Sequence, residues 1–332
     1  MRDYLQDYFQ DHDLRDIFSD VVGCSEAKTL QTMLEKAIKD HLHTAIEKIL
    51  FIQSSIGVVF GLLLANQQQV VLKIYSPKIA LNYLEKMNQI QTLFHQEGYP
   101  APNVLSTLFP FGKSLAGFYE LVEGRKENAH QSIIRTELAS ALAEFSLLVD
   151  KHTLLPLENF FQQAMGKRLW PVPHNVLFNL KKSSKGAGWI AKKALTARKA
   201  LNAFAAPKRL AHTDWGVKNA IFKDKRLVGI FDWDSLGAMS EVEMVGRACA
   251  QFTADWESDF KITPTPHEAR EFVNAYQEQR KRTFTKEEYK IISAAADSLI
   301  ALIARFEHAG GGQNQPYQDL LISCEENSLL FS

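Results

Sequence analysis

The sequence predicts an α+β fold in which a small antiparallel sheet precedes a larger helical body, and three observations lead there. Short apolar runs separated by polar turns crowd between residues 46 and 75; a helical apolar period dominates from residue 132 onward; and one polar hairpin interrupts the helices near residue 224. A chain of 332 residues with 46% hydrophobic content has room for two such lobes. The break at Glu123-Gly124-Arg125 sets the expected boundary, giving an N-lobe over 1–123 and a C-lobe over 124–332.

Residues 1 to about 50 carry apolar positions at helical spacing, such as Leu30, Met33, Leu34, Ala37 and Ile38, and are expected to form one or two amphipathic helices that cap the sheet. Ile46 to Ile52, Val58 to Ala65 and Val70 to Tyr75 then read as a three-stranded meander. Lys73 is a lone charge inside the third of these apolar runs, where burial is costly without an anionic partner. A helix follows over Ile79 to Gln96 and stops before Gly98-Tyr-Pro100-Ala-Pro102. Val104 to Leu108 and Phe118 to Val122 are expected to complete a five-stranded sheet.

Beyond the boundary, Ser132 to Val149 predicts a central helix, while Leu154 to Asn179, with three prolines and no clear period, reads as an irregular segment that lines or covers a site. Gly188 to Phe204 resumes a helix. Glu241 to Asp255, Pro266 to Arg280 and Lys286 to Ala309 are expected as closing helices, with Gly310-Gly-Gly312 before a short last one.

Between these helices lies the stretch that carries chemistry, His212-Thr-Asp214 to Asp232-Trp-Asp234. Ala220 to Phe222 and Leu227 to Phe231 read as strands joined by the polar turn Lys223-Asp-Lys-Arg226. Such a hairpin returns Asp232 toward Asp214 and Asn219, gathering two carboxylates and an amide where regular structure ends. Hard cations prefer oxygen ligands of this kind together with substrate phosphates. The Asp-x4-Asn spacing, with Asp232 thirteen residues on, matches the layout of base, metal-binding Asn and metal-binding Asp in protein kinases. His212-x-Asp214-x4-Asn219 followed by Phe231-Asp-Trp-Asp234 resembles the aminoglycoside phosphotransferase and choline kinase family of kinase-like small-molecule phosphotransferases.

The resemblance implies a protein-kinase-like two-lobed fold and an ATP-dependent transfer of the γ-phosphate to a small-molecule hydroxyl. Asp214 would orient the hydroxyl and accept its proton, and Asn219 and Asp232 would hold Mg2+. Lys73 would anchor the α and β phosphates, with Glu85 or its rival Gln89 holding the lysine in place. The turn bearing Ser54, Ser55 and Gly57 would cover the nucleotide, and the backbone from Glu120 to Val122 would meet the adenine edge. His212 reads as a ring that fixes the loop through backbone hydrogen bonds, with Asp234 behind the metal ligands. Two alternatives stay open, a protein kinase and a non-catalytic nucleotide-binding module of the same fold. Against the first, Asp232-Trp-Asp234 replaces Asp-Phe-Gly and no Ala-Pro-Glu follows; against the second, the Lys, Asp, Asn and Asp set is present in full.

The formal net charge is +0, which argues against a nucleic-acid binder, and three scattered cysteines (Cys24, Cys249, Cys324) make neither a disulfide framework nor a zinc spacing. The apolar runs are too short for a membrane span, and the N-terminal residues lack the apolar core of a signal peptide, so the cytoplasm is the expected location. Charge is uneven, with sixteen Lys and Arg against four Asp and Glu from Asp150 to Arg226. A site for polycationic aminoglycosides would want acidic surroundings. The expected acceptor is therefore a neutral or anionic hydroxylated metabolite.

Overall fold

In the computed structural model, which describes residues 2–9, 12–54, 56–159, 162, 168–171, 180–204, 206–312, 314–324 and 329–330, the chain divides into two units, Met1–Val122 and Glu123–Ser332. Ser55 and most of the segment from Leu154 to Asn179 lie outside the described residues.

The first unit runs α1 (Arg2–Tyr8), α2 (His12–Val21), α3 (Ala27–Leu42), β1 (Ile46–Ser54), β2 (Val58–Leu64), β3 (Gln69–Ile74), α4 (Leu81–Gln96), β4 (Phe109–Phe111) and β5 (Ser114–Glu120). The strands form one antiparallel sheet in the order β1-β2-β3-β5-β4. Strand alternation sends Val70, Leu72 and Ile74 into a core with Phe60, Leu62 and the helical residues Leu5, Phe18, Leu30 and Leu34. The same alternation turns Lys73, half-buried, to the opposite face. On that face α4 reaches the sheet through Asn88, whose Oδ1 accepts from the Tyr119 hydroxyl at 2.8 Å.

The expected strand Val104 to Leu108 is corrected: Val104 makes only an isolated bridge to Tyr119, and the fifth strand is the three-residue β4. The reason is the tight turn at Gly112-Lys113. Gly112 has φ 62, and a Cβ there would meet the Val22 carbonyl oxygen at 2.0 Å, so only glycine lets the hairpin close against α2. Strand β5 accordingly begins at Ser114, four residues earlier than the sequence indicated.

The second unit comprises α5 (Ser132–Lys151), α6 (Gly188–Ala203), β6 (Arg209–His212), β7 (Ala220–Lys223), β8 (Arg226–Ile230), β9 (Leu236–Met239), α7 (Glu241–Gln251), α8 (Pro266–Arg280), α9 (Lys286–Gly310) and α10 (Pro316–Ser323). Helix α9 packs on α6, α7 and α10, while α8 packs on α5. Reciprocal capping boxes, Thr265 with Glu268 and Thr285 with Glu288, start α8 and α9. Buried Glu241, at the start of α7, accepts from Arg209 (2.9 Å), Arg280 (3.0 Å), Arg282 (2.7 Å) and the Tyr276 hydroxyl (2.7 Å), tying β6, α7 and α8 together. Among the described residues no helix is long and apolar enough to cross a membrane.

Candidate active site

The site in the second unit hangs from two small antiparallel pairs, β6 with β9 and β7 with β8. The β7–β8 turn has Asp224 at φ 50 and Lys225 at φ 65, the left-handed pair whose twist suits a two-residue hairpin loop. It closes the register so that Ala220 faces Ile230, and the Phe231 N–H donates to the Asn219 carbonyl at 2.8 Å. Asn219 and Asp232 thereby come to the same mouth of the hairpin.

His212 ends β6 and is 1% exposed. Its Nε2 donates to the Phe231 carbonyl at 3.1 Å, and its Nδ1 accepts from the Ser235 hydroxyl at 3.1 Å. Burial, opposed by the Phe231 hydrogen bond and by Asp214 and Asp234, lowers its pKa, so the ring is neutral and serves as a strut between β6 and the strand end before Asp232. Trp215 anchors the loop on the other side, buried, with its Nε1 donating to the Leu138 carbonyl at 3.2 Å. Gly216 allows the close approach to α7: a Cβ there would lie 2.9 Å from the Gln251 carbonyl oxygen.

Asp214 is held by three side chains through four contacts. Its backbone carbonyl accepts from Asn219 Nδ2 at 2.8 Å, and its Oδ1 accepts from Gln251 Nε2 at 3.2 Å. Its Oδ2 pairs with Lys218 Nζ at 2.7 Å and lies 3.4 Å from Asn219 Nδ2. Burial alone would raise the carboxyl pKa, but the Lys218 ammonium, with the Arg247 guanidinium adding to it, holds it below the ordinary aspartate value. The group is an anion able to accept a hydrogen bond from a hydroxyl and orient it. Asn219 spends its amide nitrogen on Asp214, which leaves its oxygen for a cation.

Asp232 sits at φ 61 and ψ 43, a left-handed conformation that non-glycine residues adopt at a cost, and its carbonyl accepts from the Ser235 N–H at 2.9 Å. One carboxylate and one amide oxygen fit Mg2+, which takes few protein ligands and completes its shell with water and phosphate oxygens. Among the described residues no group of three or more His, Cys, Asp or Glu could hold a metal ion.

In the first unit Lys73 is paired across the sheet with Val59 and Gly117, and its Nζ lies 5.4 Å from the centroid of the Tyr75 ring. Glu85 is exposed on α4, as is Gln89; the α4 side chain turned to the sheet is Asn88, which joins the Tyr119 hydroxyl, itself 2.5 Å from that of Tyr75. Ser54 ends β1 with its hydroxyl 3.4 Å from that of Tyr8. Gly57 has a packing reason of its own, since a Cβ would meet the Ile74 carbonyl oxygen at 2.5 Å. Glu120 closes β5: its N–H donates to the Asn103 carbonyl at 2.9 Å, and its Oε2 accepts from the Asn103 N–H at 3.1 Å. Val122, half-buried, is the last residue of this unit.

The sequence did not point to Gln251, Arg247 or Trp256, and Lys218 had no role assigned. Gln251 and Arg247 arrive from α7, seventeen or more residues beyond the hairpin's end at Ile230, and no local pattern marks them. For Lys218 a signal existed, the i, i+4 spacing to Asp214.

A five-stranded antiparallel sheet in one unit and a helical second unit built around an Asp, Asn and Asp hairpin define the kinase-like class of phosphotransferases. The chain belongs to the phosphotransferase enzyme family, whose model matches residues 58–290. Its fold is similar to that of the amicoumacin kinase hAmiN, solved with AMP-PNP, Ca2+ and Ami (TM-score 0.65, 14% identity, 89% of this chain and 92% of that one). It is similar also to an ethanolamine kinase of Plasmodium vivax (TM-score 0.54, 13% identity, 90% and 88%). A third similar structure is the spectinomycin phosphotransferase APH(9)-Ia with ADP and its antibiotic (TM-score 0.53, 13% identity, 90% and 96%). At these identities the likeness is one of fold. No curated protein matches the chain by sequence.

Proposed function

We propose that the chain is a cytoplasmic, ATP-dependent small-molecule kinase that transfers the γ-phosphate to an acceptor hydroxyl. The observation that carries this reading is the Asp214 and Asn219 contact at the hairpin mouth to which Asp232 returns. Phosphoryl transfer asks little covalent chemistry of a protein, because positioning and charge neutralisation supply most of the rate. Asp214 orients the acceptor hydroxyl and takes its proton as the oxygen attacks. Asn219 and Asp232 hold Mg2+, which when bound neutralises charge on the phosphate oxygens. Lys73 binds the nucleotide phosphates, the backbone turn of Ser54, Ser55 and Gly57 covers them, and the strand end from Glu120 to Val122 meets the base. Glu85, or its rival Gln89, both on the exposed side of α4, holds Lys73 in place. That hAmiN is described with a nucleotide analogue and a divalent ion supports the choice of ligands.

The test is Mg2+-dependent ATP turnover across a panel of hydroxylated small molecules and a protein substrate. Asp214→Asn is expected to lower kcat by a factor of about a thousand or more while nucleotide affinity stays within about twofold. Undiminished turnover in that variant would remove Asp214 as the base, and turnover only on protein would favour a protein kinase.

A further inference from the structure

The Lys218 ammonium bridges two groups that together make a receptor for a cation. Its Nζ lies 2.7 Å from Asp214 Oδ2 and 5.0 Å from the centroid of the Trp256 ring, and the indole is 53% exposed. Both sides of this bridge are fixed. Lys218 stands in the short helical turn Val217–Asn219, where the Val217 N–H donates to the Phe252 carbonyl at 2.9 Å and the Lys218 carbonyl accepts from Lys126 Nζ. Trp256 rides on a turn organised by Asp255, which is 7% exposed, accepts from the Glu257 N–H at 3.2 Å through its carboxylate, and accepts from the Ser258 hydroxyl at 3.0 Å through its carbonyl. The far end of that segment is tied down by Thr253 Oγ1 donating to the Ile262 carbonyl (2.9 Å) and His130 Nε2 donating to the Lys261 carbonyl (2.7 Å).

A carboxylate facing an aromatic ring is the environment that recognises an amine, through charge pairing and attraction to the ring face. Here the chain's own lysine fills it. An acceptor amine near the reacting hydroxyl would have to displace Lys218 from both partners or sit beside it against like charge. We propose that Lys218 is a built-in occupant of the cation subsite at Asp214, and that it selects for acceptors with no amino group near the reacting hydroxyl, that is, neutral or anionic hydroxylated metabolites. The inference rests on the reading of Asp214 as the acceptor-side base.

The experiment is calorimetric titration of the full chain with choline and with kanamycin, for wild type, Lys218→Met, Lys218→Gln and Lys218→Arg, with unfolding midpoints to show that each is folded. Removing the occupant in Lys218→Met or Lys218→Gln is expected to tighten binding of these cations on the order of tenfold, and Lys218→Arg to stay like wild type. Adding Trp256→Leu to Lys218→Met should erase most of the gain. Wild type binding choline or kanamycin as tightly as the two neutral variants would overturn the proposal, as would an equal gain in Lys218→Arg. These binding arms stand apart from the reaction: absence of Mg2+-dependent ATP turnover in wild type would sink the proposed activity and leave the titrations readable.

Discussion

Asp232 joins backbone strain to the proposed metal role in one residue. Its left-handed backbone, φ 61 and ψ 43, costs an L-residue roughly 1–2 kcal/mol, and glycine would remove that cost while removing the carboxylate. Asp232→Gly is therefore expected to keep the unfolding stability within about 1 kcal/mol of wild type and to lose Mg2+-dependent ATP binding; thermal unfolding beside calorimetry separates the two. A variant that still bound Mg2+·ATP normally would free Asp232 of the metal role. Lys73 poses the complementary question, since its charge sits half-buried on β3 beside the Tyr75 ring. Lys73→Ala is expected to weaken ATP by about tenfold or more, and unchanged affinity would return the residue to a packing role. The sequence showed His212, Asp214, Asn219 and Asp232 together because the end of β6, the loop after it and the β7–β8 hairpin follow one another directly, so their spacing along the chain carries their proximity. Gln251, at 3.2 Å from Asp214, was invisible for the opposite reason: it comes from α7, and only the docking of that helix against Gly216 brings it there. Lys218 was visible as a residue but not as a partner, because its direction depends on the tight turn that contains it.

Among the elements, the long helices and the β7–β8 hairpin were legible, and the short strands β4, β6 and β9 were not. Helix α8 occupies Pro266–Arg280 as the pattern indicated, since an apolar stripe, Ala269, Phe272, Val273 and Tyr276, runs over about two turns and a capping box fixes its start. Strands β6 and β9 have four residues each and β4 three, too few for a period of two to stand out, and β6 and β9 pair with each other across more than twenty residues of chain. Helix α7 shows how packing overrides local preference. Gly246 lies in its middle, where alanine is ordinarily better by up to about 1 kcal/mol, yet a Cβ there would meet the Ile292 carbonyl oxygen of α9 at 2.2 Å and the Ala295 Cβ at 2.7 Å. The helices would have to separate. Gly246→Ala is expected to destabilise the chain by about 1–3 kcal/mol in a denaturant titration, and a neutral or stabilising result would mean that α7 and α9 yield easily.

At the scale of the whole second unit, two carboxylates, Glu241 buried and Asp297 half-buried, have pKa values shifted in opposite senses. Glu241 is desolvated, which alone would raise its pKa, but Tyr276, Arg280 and Arg209 bring it below the ordinary glutamate value. Its contribution is therefore fully present above about pH 4.5 and is lost as pH falls through the lowered folded pKa. Asp297 on α9 is the reverse case. Its Oδ1 and the Ser293 Oγ one turn earlier are buried with no hydrogen-bond partner among the described residues, and burial pushes the Asp297 carboxyl up to about 6, against a weaker opposing pull from Lys193. The other groups it acts on, the thiols of Cys249 and Cys324, have their own pKa values raised chiefly by burial and further by Asp297, so neither offers it a charge partner. A folded pKa above the unfolded 3.8 means that ionisation opposes folding: the penalty is absent well below pH 3.8, grows between there and pH 6, and is constant above. From the width of that interval it reaches about 3 kcal/mol at neutral pH, an upper bound because Asp297 retains some access to solvent. Asp297→Asn keeps the shape without the charge. It is expected to raise the unfolding free energy by about 1–3 kcal/mol at pH 8, with the gain shrinking toward zero as the titration is repeated down to pH 4. Equal stability of the two proteins at pH 8 would show that Asp297 is solvated in the folded chain and that α9 carries no buried charge.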